Sequence, residues 1–257
     1  MFSKTDYAMH FNPVDYVKDW AGTDMSFYPD KLHELFTTGV IKGNTYLEYG
    51  AGPTLHSVAA ISPFVNEITI AEMLPQNRRE LTKWLNDDED AISWDSYIEH
   101  LIRLDNNRDS AEDIKIAIEK RKLSIRSKVK NVIPCDALLL NPIAPMNATF
   151  DVVGSSLMLD CAAGSTYKQR LKNASALVKP GGFFVQFSNG PGCCNWKCGS
   201  VFFKVVDPQT PEDNAIALDE AGFNILQTAN FELPPSFCQD GIFDCKDMFL
   251  TVCRKRY

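Results

Sequence analysis

The sequence predicts an α/β fold of the doubly wound, Rossmann-like kind, and three observations carry that prediction. First, Tyr46–Thr54 reads Tyr-Leu-Glu-Tyr-Gly-Ala-Gly-Pro-Thr, an apolar strand that runs into an acid and a Gly-x-Gly turn. Such a turn lets a nucleotide-like ligand approach the backbone closely. Second, Glu72 closes another strand-like run, Glu-Ile-Thr-Ile-Ala-Glu, about twenty residues on, where a strand-end acid accepts hydrogen bonds from ribose hydroxyls. Third, Leu-Val-Lys-Pro-Gly-Gly-Phe-Phe-Val over 177–185 joins a helix end, a tight turn and a further strand. Between these lie Val132–Asp136 and Asp151–Asp160, which read as strands emerging at the same edge.

The elements follow in order. Residues 1–43 form an N-terminal extension with helices at 13–21 and 29–36. Pro13 suits a first helical turn, and Phe11, Tyr16 and Trp20 fall mainly on one face. A strand at 45–49, a helix from 54, a strand at 67–71 and a helix over 76–86 come next. Asp87-Asp-Glu-Asp90 reads as a solvated helix end. Helices are expected over 94–104 and 111–128, the second strongly charged and exposed, leading into a strand near 130–135. Beyond Pro-Gly-Gly the pattern gives a strand at 183–188 and a cysteine- and glycine-rich loop at 189–200. A strand at 201–206, a helix at 211–221 and strands at 224–231 and 247–253 complete the chain. The whole of 1–257 reads as a single domain, a cover segment (1–43) on a sheet core (44–257).

Composition bounds the function. With 257 residues and 45% hydrophobic content, one large α/β core can form. No run of eighteen apolar residues and no charged-then-apolar leader is present, so neither a membrane span nor a secretory signal is expected. A net charge of −7 and a pI near 5.2 leave no basic stripe for nucleic acid. The eight cysteines (135, 161, 193, 194, 198, 238, 245 and 253) do not form a disulfide framework in a chain of this kind, and a cytoplasmic monomer is expected. Cys193, Cys194 and Cys198 invite a metal, but the four histidines lie far from them in sequence, so no metal is expected.

The glycine turn narrows the ligand. A dinucleotide fingerprint would place a third glycine at position 55; here that residue is Leu55, preceded by Pro53 and Thr54. The strand-end acid Glu48 suits a cationic ligand better than a phosphate. S-adenosylmethionine, an adenosyl group with an amino-acid tail and no phosphate, fits both features. The ordered junctions therefore point to a class I methyltransferase, with a seven-stranded, mostly parallel sheet, an antiparallel last strand and helices on both faces.

The chain also resembles a particular family, the nicotinamide, phenylethanolamine, indolethylamine and thioether methyltransferases. Tyr7-Ala-Met-His-Phe-Asn-Pro-Val-Asp-Tyr16 is similar to the family's Tyr-x-x-x-Phe-x-Pro-x-x-Tyr cover segment. Glu48-Tyr-Gly-Ala-Gly-Pro-Thr54, Glu72 with Asn77, Cys135-Asp136, Leu157-x-Leu-Asp160 and Lys179-Pro-Gly-Gly-Phe183 continue the likeness over nearly the whole chain. It implies cofactor contacts at Gly50, Glu72, Asn77, Asp136 and Ser156. Tyr16, Glu48, Gly52, Thr54, His56 and Ala137 extend that set. Tyr16 is also the catalytic candidate, closing the site over a sulfonium, and Tyr7 is a candidate substrate contact. Taken singly, Asn77 could be a helix cap, Ser156 a core hydroxyl and Asp136 a loop acid.

Departures from the pattern concern the acceptor. His56 stands where the family has a tyrosine, and Ala21, beside Trp20, where it has an aromatic. The strand after Pro-Gly-Gly ends Gln186-Phe-Ser188-Asn189, whereas nicotinamide-specific members carry an Asp where Ser188 falls. Asp244, and less directly Asp240 or Asp207, are the candidate acids for an amine. Amines are therefore expected to be better acceptors than nicotinamide. Two classes stay open: an N-methyltransferase acting on an amine or pyridine-like nitrogen, and a member that binds the cofactor with weak or no turnover.

Overall fold

The computed structural model describes residues 4–21, 26–105, 111–233, 244–245 and 247–257. Cys238 and Asp240 lie outside the described residues. Thr45–Tyr49 (β1), Glu67–Ala71 (β2), Val129–Ile133 (β3), Phe150–Ser156 (β4) and Val178–Asn189 (β5) pair in parallel. Phe223–Glu232 (β8) and Asp247–Lys255 (β9) extend the sheet, with β9 antiparallel to both of its neighbours. The order is β3-β2-β1-β4-β5-β9-β8, a seven-stranded sheet. β1 and β2 are buried at nearly every position, as strands covered on both faces must be. The chain winds one way from β1 and the other way from β4, so the crevice beyond their carboxyl ends is the ligand position of an open α/β sheet.

Alternation assigns side chains to faces. Tyr46, Ile68, Ile70, Val152, Val185 and Phe187 enter one core, shared with the N-terminal helices. Leu47, Ala71, Val153 and Phe184 enter the other, under helices Tyr167–Ser175 (α8) and Pro211–Glu220 (α9). The remaining helices are Lys4–His10 (α1), Pro13–Ala21 (α2), Phe27–Thr37 (α3), His56–Ile61 (α4), Pro75–Asn86 (α5), Asp95–Asp105 (α6) and Ala111–Lys128 (α7). α7 is charged outside but turns Ile114, Ile118 and Ile125 inward. Among the described residues, no helix is long and apolar enough to cross a membrane.

Three expectations change. The extension carries α1 ahead of the two expected helices. Asn12 separates α1 from α2 by capping the latter, its Oδ1 accepting from Val14 N (2.9 Å) and Asp15 N (3.2 Å). The segment expected as a strand at 201–206 does not join the main sheet. Instead Asn195–Cys198 (β6) and Val201–Lys204 (β7) form a separate antiparallel hairpin. Gly199, at φ +61°, makes its two-residue turn. Finally, Pro-Gly-Gly lies inside β5, where the pairing with β4 shifts register between Phe150↔Val178 and Val152↔Phe183.

The amino end of the sheet is tied by Asp151. Its Oδ2 accepts from Asn44 N, Thr45 N (both 2.9 Å) and Thr45 Oγ1 (3.0 Å), and Lys179 pairs with Oδ1 at 2.7 Å. Burial pushes this carboxyl up, but Lys179 and the Thr45 and Asn44 donors outweigh it and hold it at about 2. A folded-state value below the ordinary one adds stability that is complete above about pH 4 and disappears as pH falls through 2. Asp151→Ala is expected to lower unfolding stability by roughly 1–3 kcal/mol at pH 7 in urea titrations, with the difference from wild type shrinking toward pH 2.

Candidate active site

The β1–α4 turn is set by backbone geometry. Gly50 (φ +80°) and Gly52 (φ +61°) both adopt the left-handed region, and Gly50 N and Ala51 N donate to Ala71 O at 2.8 and 3.2 Å. The two glycines have different neighbours. A Cβ on Gly50 would collide with the Met158 side chain, whereas one on Gly52 would project into open space. The protein itself thus requires Gly50, and Gly52 forms the cradle that faces the cavity.

Glu72, at the end of β2, joins this turn to α5. Its Oε2 accepts from Gly52 N (2.9 Å), and its Oε1 accepts from Leu74 N (2.9 Å) and Asn77 Nδ2 (3.0 Å). Burial pushes its carboxyl up, and those three donors pull it back. Asn77 Oδ1 is buried with no hydrogen-bond partner among the described residues, and the residue lines the cavity. Glu48 is buried and accepts from Tyr46 Oη at 2.5 Å. Burial raises it to about 7 against the lowering effect of Tyr46 and Ser57. Its carboxylate is therefore engaged from within the sheet as well as lining the crevice.

Beyond β3, Asp136 accepts from Leu138 N at 3.2 Å, and Ala137 O accepts from Asn173 Nδ2 at 2.9 Å. His56 opens α4 against the edges of Trp94 and Tyr97, and burial lowers it to about 4, so it is neutral at physiological pH. One cavity is lined by Tyr16, Glu48, Gly50, Gly52, Thr54, His56, Glu72, Asn77, Asp136, Ala137 and Ser156, and also by Tyr7.

Its other half is aromatic. Tyr7, Phe11, Tyr16 and Trp20 reach it from α1, α2 and their junction, and Trp196 and Phe203 from the β6–β7 hairpin. Tyr16 stands 5.3 Å from Phe11, 5.8 Å from Trp20 and 5.8 Å from Trp196, the last edge-on. Tyr7 is 4.8 Å from Phe203. Trp20 Nε1 donates to Lys197 O at 3.2 Å, clasping helix to hairpin. Burial pushes the Tyr7 and Tyr16 hydroxyls well above the usual phenol range, so both stay protonated.

Two expected substrate residues are elsewhere. Ser188 is fully buried on the opposite sheet face, where Gln186 Nε2 donates to its Oγ at 2.7 Å and also to Tyr167 Oη. Tyr167 in turn donates to Asn214, completing a polar network under α8 and α9. The reason is the two-residue period of a strand: Phe187 and Asn189 face the cavity, so Ser188 cannot. Asp244 is exposed and caps the hairpin entry, accepting from Cys194 N (2.8 Å), Asn195 N (2.9 Å) and Asn195 Nδ2 (3.1 Å). Asp207 accepts from Tyr167 N at 2.8 Å and pairs with Arg170. The cysteines diverge too, Cys193 and Cys198 buried and Cys194 exposed. Among the described residues, no group of three or more His, Cys, Asp or Glu side chains could hold a metal.

Phe187, Asn189, Cys161, Trp196, Phe203 and Lys204 are among the cavity residues that sequence reasoning missed. A signal existed for the hairpin pair in the alternation around Cys198-Gly-Ser-Val201, which reads as a two-residue hairpin turn.

The sequence model of the NNMT/PNMT/TEMT family matches residues 1–256. The chain belongs to this family. Indolethylamine N-methyltransferase of Oryctolagus cuniculus is 30% identical over 239 residues, covering 86% of each chain. Nicotinamide N-methyltransferase of Homo sapiens is 30% identical over 195 residues, 71% of each chain. Phenylethanolamine N-methyltransferase of Homo sapiens is 24% identical over 87% of this chain and 78% of its own. Among solved structures, 1,6-didemethyltoxoflavin-N1-methyltransferase of Burkholderia thailandensis, with bound 1,6-didemethyltoxoflavin and S-adenosylhomocysteine, shares the fold. Its TM-score is 0.56 at 12% identity, over 100% of this chain and 92% of that one. N-methyltransferase NodS of Bradyrhizobium japonicum, with S-adenosylhomocysteine, has a TM-score of 0.54 at 13% identity over 93% and 92%. As a member of the NNMT/PNMT/TEMT family the chain is an S-adenosylmethionine-dependent methyltransferase.

The two glycines separate by experiment. Gly52→Val is expected to weaken S-adenosylmethionine binding at least tenfold in calorimetry and to cost about 1–3 kcal/mol of stability from left-handed strain alone, with no packing clash. Gly50→Val is expected to unfold or destabilise the protein by more than about 2 kcal/mol, from left-handed strain and overpacking on Met158. Ser188→Asp puts an unpaired carboxylate into the α8–α9 network. A loss of about 3 kcal/mol of stability is expected by denaturant titration.

Proposed function

We propose that the chain transfers a methyl group from S-adenosylmethionine to the nitrogen of a small molecule that enters as its uncharged base. The observation that carries this reading is the meeting, in one cavity, of a strand-end cradle and an aromatic chamber. Glu72, Asn77 and Gly52 would hold the adenosyl and ribose portion, and Glu48 the amino-acid side. Asp136 and Ala137 would flank the adenine. Asn77 Oδ1 and the open space at Gly52 support that fit. Bound there, S-adenosylmethionine supplies a sulfonium methyl that the acceptor's lone pair takes as the carbon–sulfur bond breaks, leaving S-adenosylhomocysteine.

The protein's own part is positioning. Tyr16, Trp196 and Phe203 form walls that would align a flat acceptor and exclude water, and alignment of this kind supplies roughly 7–11 kcal/mol of a barrier. The aromatic faces suit a sulfonium, each contact adding about 0.5–2 kcal/mol. Because Tyr7 and Tyr16 stay protonated, neither can take a proton; they serve as cover and as donors. The cover segment 1–43 closes the chamber in this reading. Cys135, Cys161, Cys194 and Cys253 are free thiols, which supports a reducing compartment such as the cytoplasm, and we infer a monomer.

The acceptor expectation changes with the geometry. Neither Ser188 nor Asp244 reaches the cavity, so the ranking of amines above nicotinamide loses its basis. The carboxylates lining the cavity, Glu48, Glu72 and Asp136, all belong to the cofactor end. No carboxylate among the described residues lines the acceptor end to pair with an ammonium, and only an uncharged nitrogen has the lone pair the reaction needs. Nothing favours a member that binds without turnover.

A methyl-release assay over primary, secondary and pyridine-type nitrogens tests the reading, which predicts turnover that rises with the unprotonated fraction of each acceptor. Glu72→Ala is expected to weaken S-adenosylmethionine binding by roughly 1.5–3 kcal/mol, the range for hydrogen bonds to a charged group. Unchanged affinity in the folded variant removes Glu72 from the ribose role.

A further inference from the structure

The root of the β6–β7 hairpin holds a pair of thiols that methyl transfer does not use. Cys193 and Cys245 are 1% and 0% exposed, and neither is among the residues lining the cavity. Two sets of hydrogen bonds bracket them. Just past the last paired residues of β5 and β9, Gly190 N donates to Asp247 O at 3.0 Å. Farther along, Cys194 N and Asn195 N donate to Asp244 Oδ1 at 2.8 and 2.9 Å, and Asp244 N donates to Asn195 O at 3.4 Å. Cys193 lies between Gly190 and Cys194, and Cys245 between Asp244 and Asp247, so the two segments face each other across a gap tied at both ends. The sulfurs meet in that gap. Cys245 Sγ stands 4.0 Å from Gly190 O and donates to Asp247 O at 2.8 Å, while Cys193 N donates to the same Gly190 O at 3.4 Å. The Cys193 thiol hydrogen-bonds the Cys245 sulfur, which holds Cys245 below the usual thiol range and pushes Cys193 above it. Cys198, the other buried thiol of this region, donates instead to Asn12 O at 3.3 Å.

Two thiols in hydrogen-bonding contact, on segments already tied together, need little backbone movement to become a disulfide. The chain over them is thin, since Pro191, Gly192 and Cys194 are exposed on either side of Cys193. A peroxide molecule, close to water in size, needs only a local opening of that loop to reach the sulfurs. The pair also anchors a functional wall. Cys193 stands two residues ahead of β6, and the hairpin pairs Trp196 with Phe203, both of which line the chamber. On its other side the hairpin is held by α2, through Trp20 Nε1 to Lys197 O at 3.2 Å and Gly199 N to Asp19 Oδ2 at 2.6 Å.

We propose that Cys193 and Cys245 form a reversible redox site, a dithiol that hydrogen peroxide converts to a disulfide and a thiol reductant restores, and that the disulfide fixes the hairpin carrying one wall of the chamber. The redox chemistry stands on the thiol pair alone; what a fixed wall means for the acceptor rests on the methyltransferase reading above. The Cys245 sulfur attacks one peroxide oxygen, the O–O bond breaks, and the departing hydroxide takes up the thiol proton as water, leaving a sulfenic acid on Cys245. The Cys193 sulfur then attacks the Cys245 sulfur, the S–O bond breaks, and the second oxygen leaves as water with the Cys193 proton. Each sulfur loses one electron, and the peroxide gains both.

The test treats the full-length protein with a small excess of hydrogen peroxide and maps the product by peptide mass spectrometry. A loss of two thiols and about 2 Da is expected, with a linked Cys193–Cys245 peptide and full reversal by dithiothreitol. The cross-link should raise the melting temperature by roughly 5–15 °C. It should also slow amide hydrogen exchange over residues 195–204 by about threefold or more. Cys193→Ser and Cys245→Ser should each abolish these changes, and Cys194→Ser should leave them in place. A disulfide through Cys194 or any other cysteine, or no disulfide at all, overturns the site in the wild-type protein without need of a variant. A Cys193–Cys245 disulfide that leaves exchange over the hairpin unchanged overturns its link to the chamber wall. None of these readouts uses turnover, so a failure to methylate any nitrogen acceptor overturns the earlier reading while the peptide map and the exchange rates decide this one.

Discussion

Much of this molecule depends on one buried carboxylate. Glu72 accepts from the turn glycine Gly52, from Leu74 at the entry to α5, and from the Asn77 side chain one turn into that helix. These contacts hold the β1–α4 turn, the end of β2 and the start of α5 in a fixed relation. Without them the backbone N–H of Gly52 and the amide of Asn77 would need other partners. The same geometry leaves Asn77 Oδ1 without a hydrogen-bond partner among the described residues and leaves open space beside Gly52. The interaction that stabilises the edge of the sheet is therefore also the one that shapes the cradle.

The sheet separates two polar systems that a linear reading places side by side. On one face, Phe187 and Asn189 look into the chamber; on the other, Gln186 and Ser188 join Tyr167 and Asn214 in a network that binds the sheet to α8 and α9. Adjacent residues of one strand thus face the packed network and the cavity in turn. The division also explains why a serine suits position 188: a small hydroxyl completes a neutral network there, and a carboxylate would be stranded.

The aromatic chamber is made by two regions distant in sequence, the N-terminal helices and the β6–β7 hairpin. α1 and α2 bring Tyr7 and Tyr16, the hairpin brings Trp196 and Phe203, and Trp20 bonds to the hairpin backbone. Tilted and edge-on ring contacts favour such clusters by about 0.5–1.5 kcal/mol per pair beyond burial. Closing the N-terminal segment over the sheet and forming the hairpin are consequently one packing event, and neither wall is complete alone.

The frame follows from local signals along the chain. Local period and turn chemistry specify β1 at 45–49, β2 at 67–71 and α9 after Thr210-Pro211, and they set the glycine turn with its strand-end acids. Signals of this kind act between neighbours and so are written in consecutive residues. Most of the cavity residues beside the glycine turn were legible for the same reason, since they stand at or just past a strand of predictable position. Tertiary structure alone decided the acceptor end. Whether Ser188 or Asn189 faces the cavity depends on a one-residue register, which the interior shift at Pro-Gly-Gly obscures. Whether Asp244 meets a ligand or caps a hairpin depends on where that hairpin folds. Pairing Asp160 with Asn189 required β4 and β5 to lie side by side, a contact between residues 29 positions apart that no local pattern encodes.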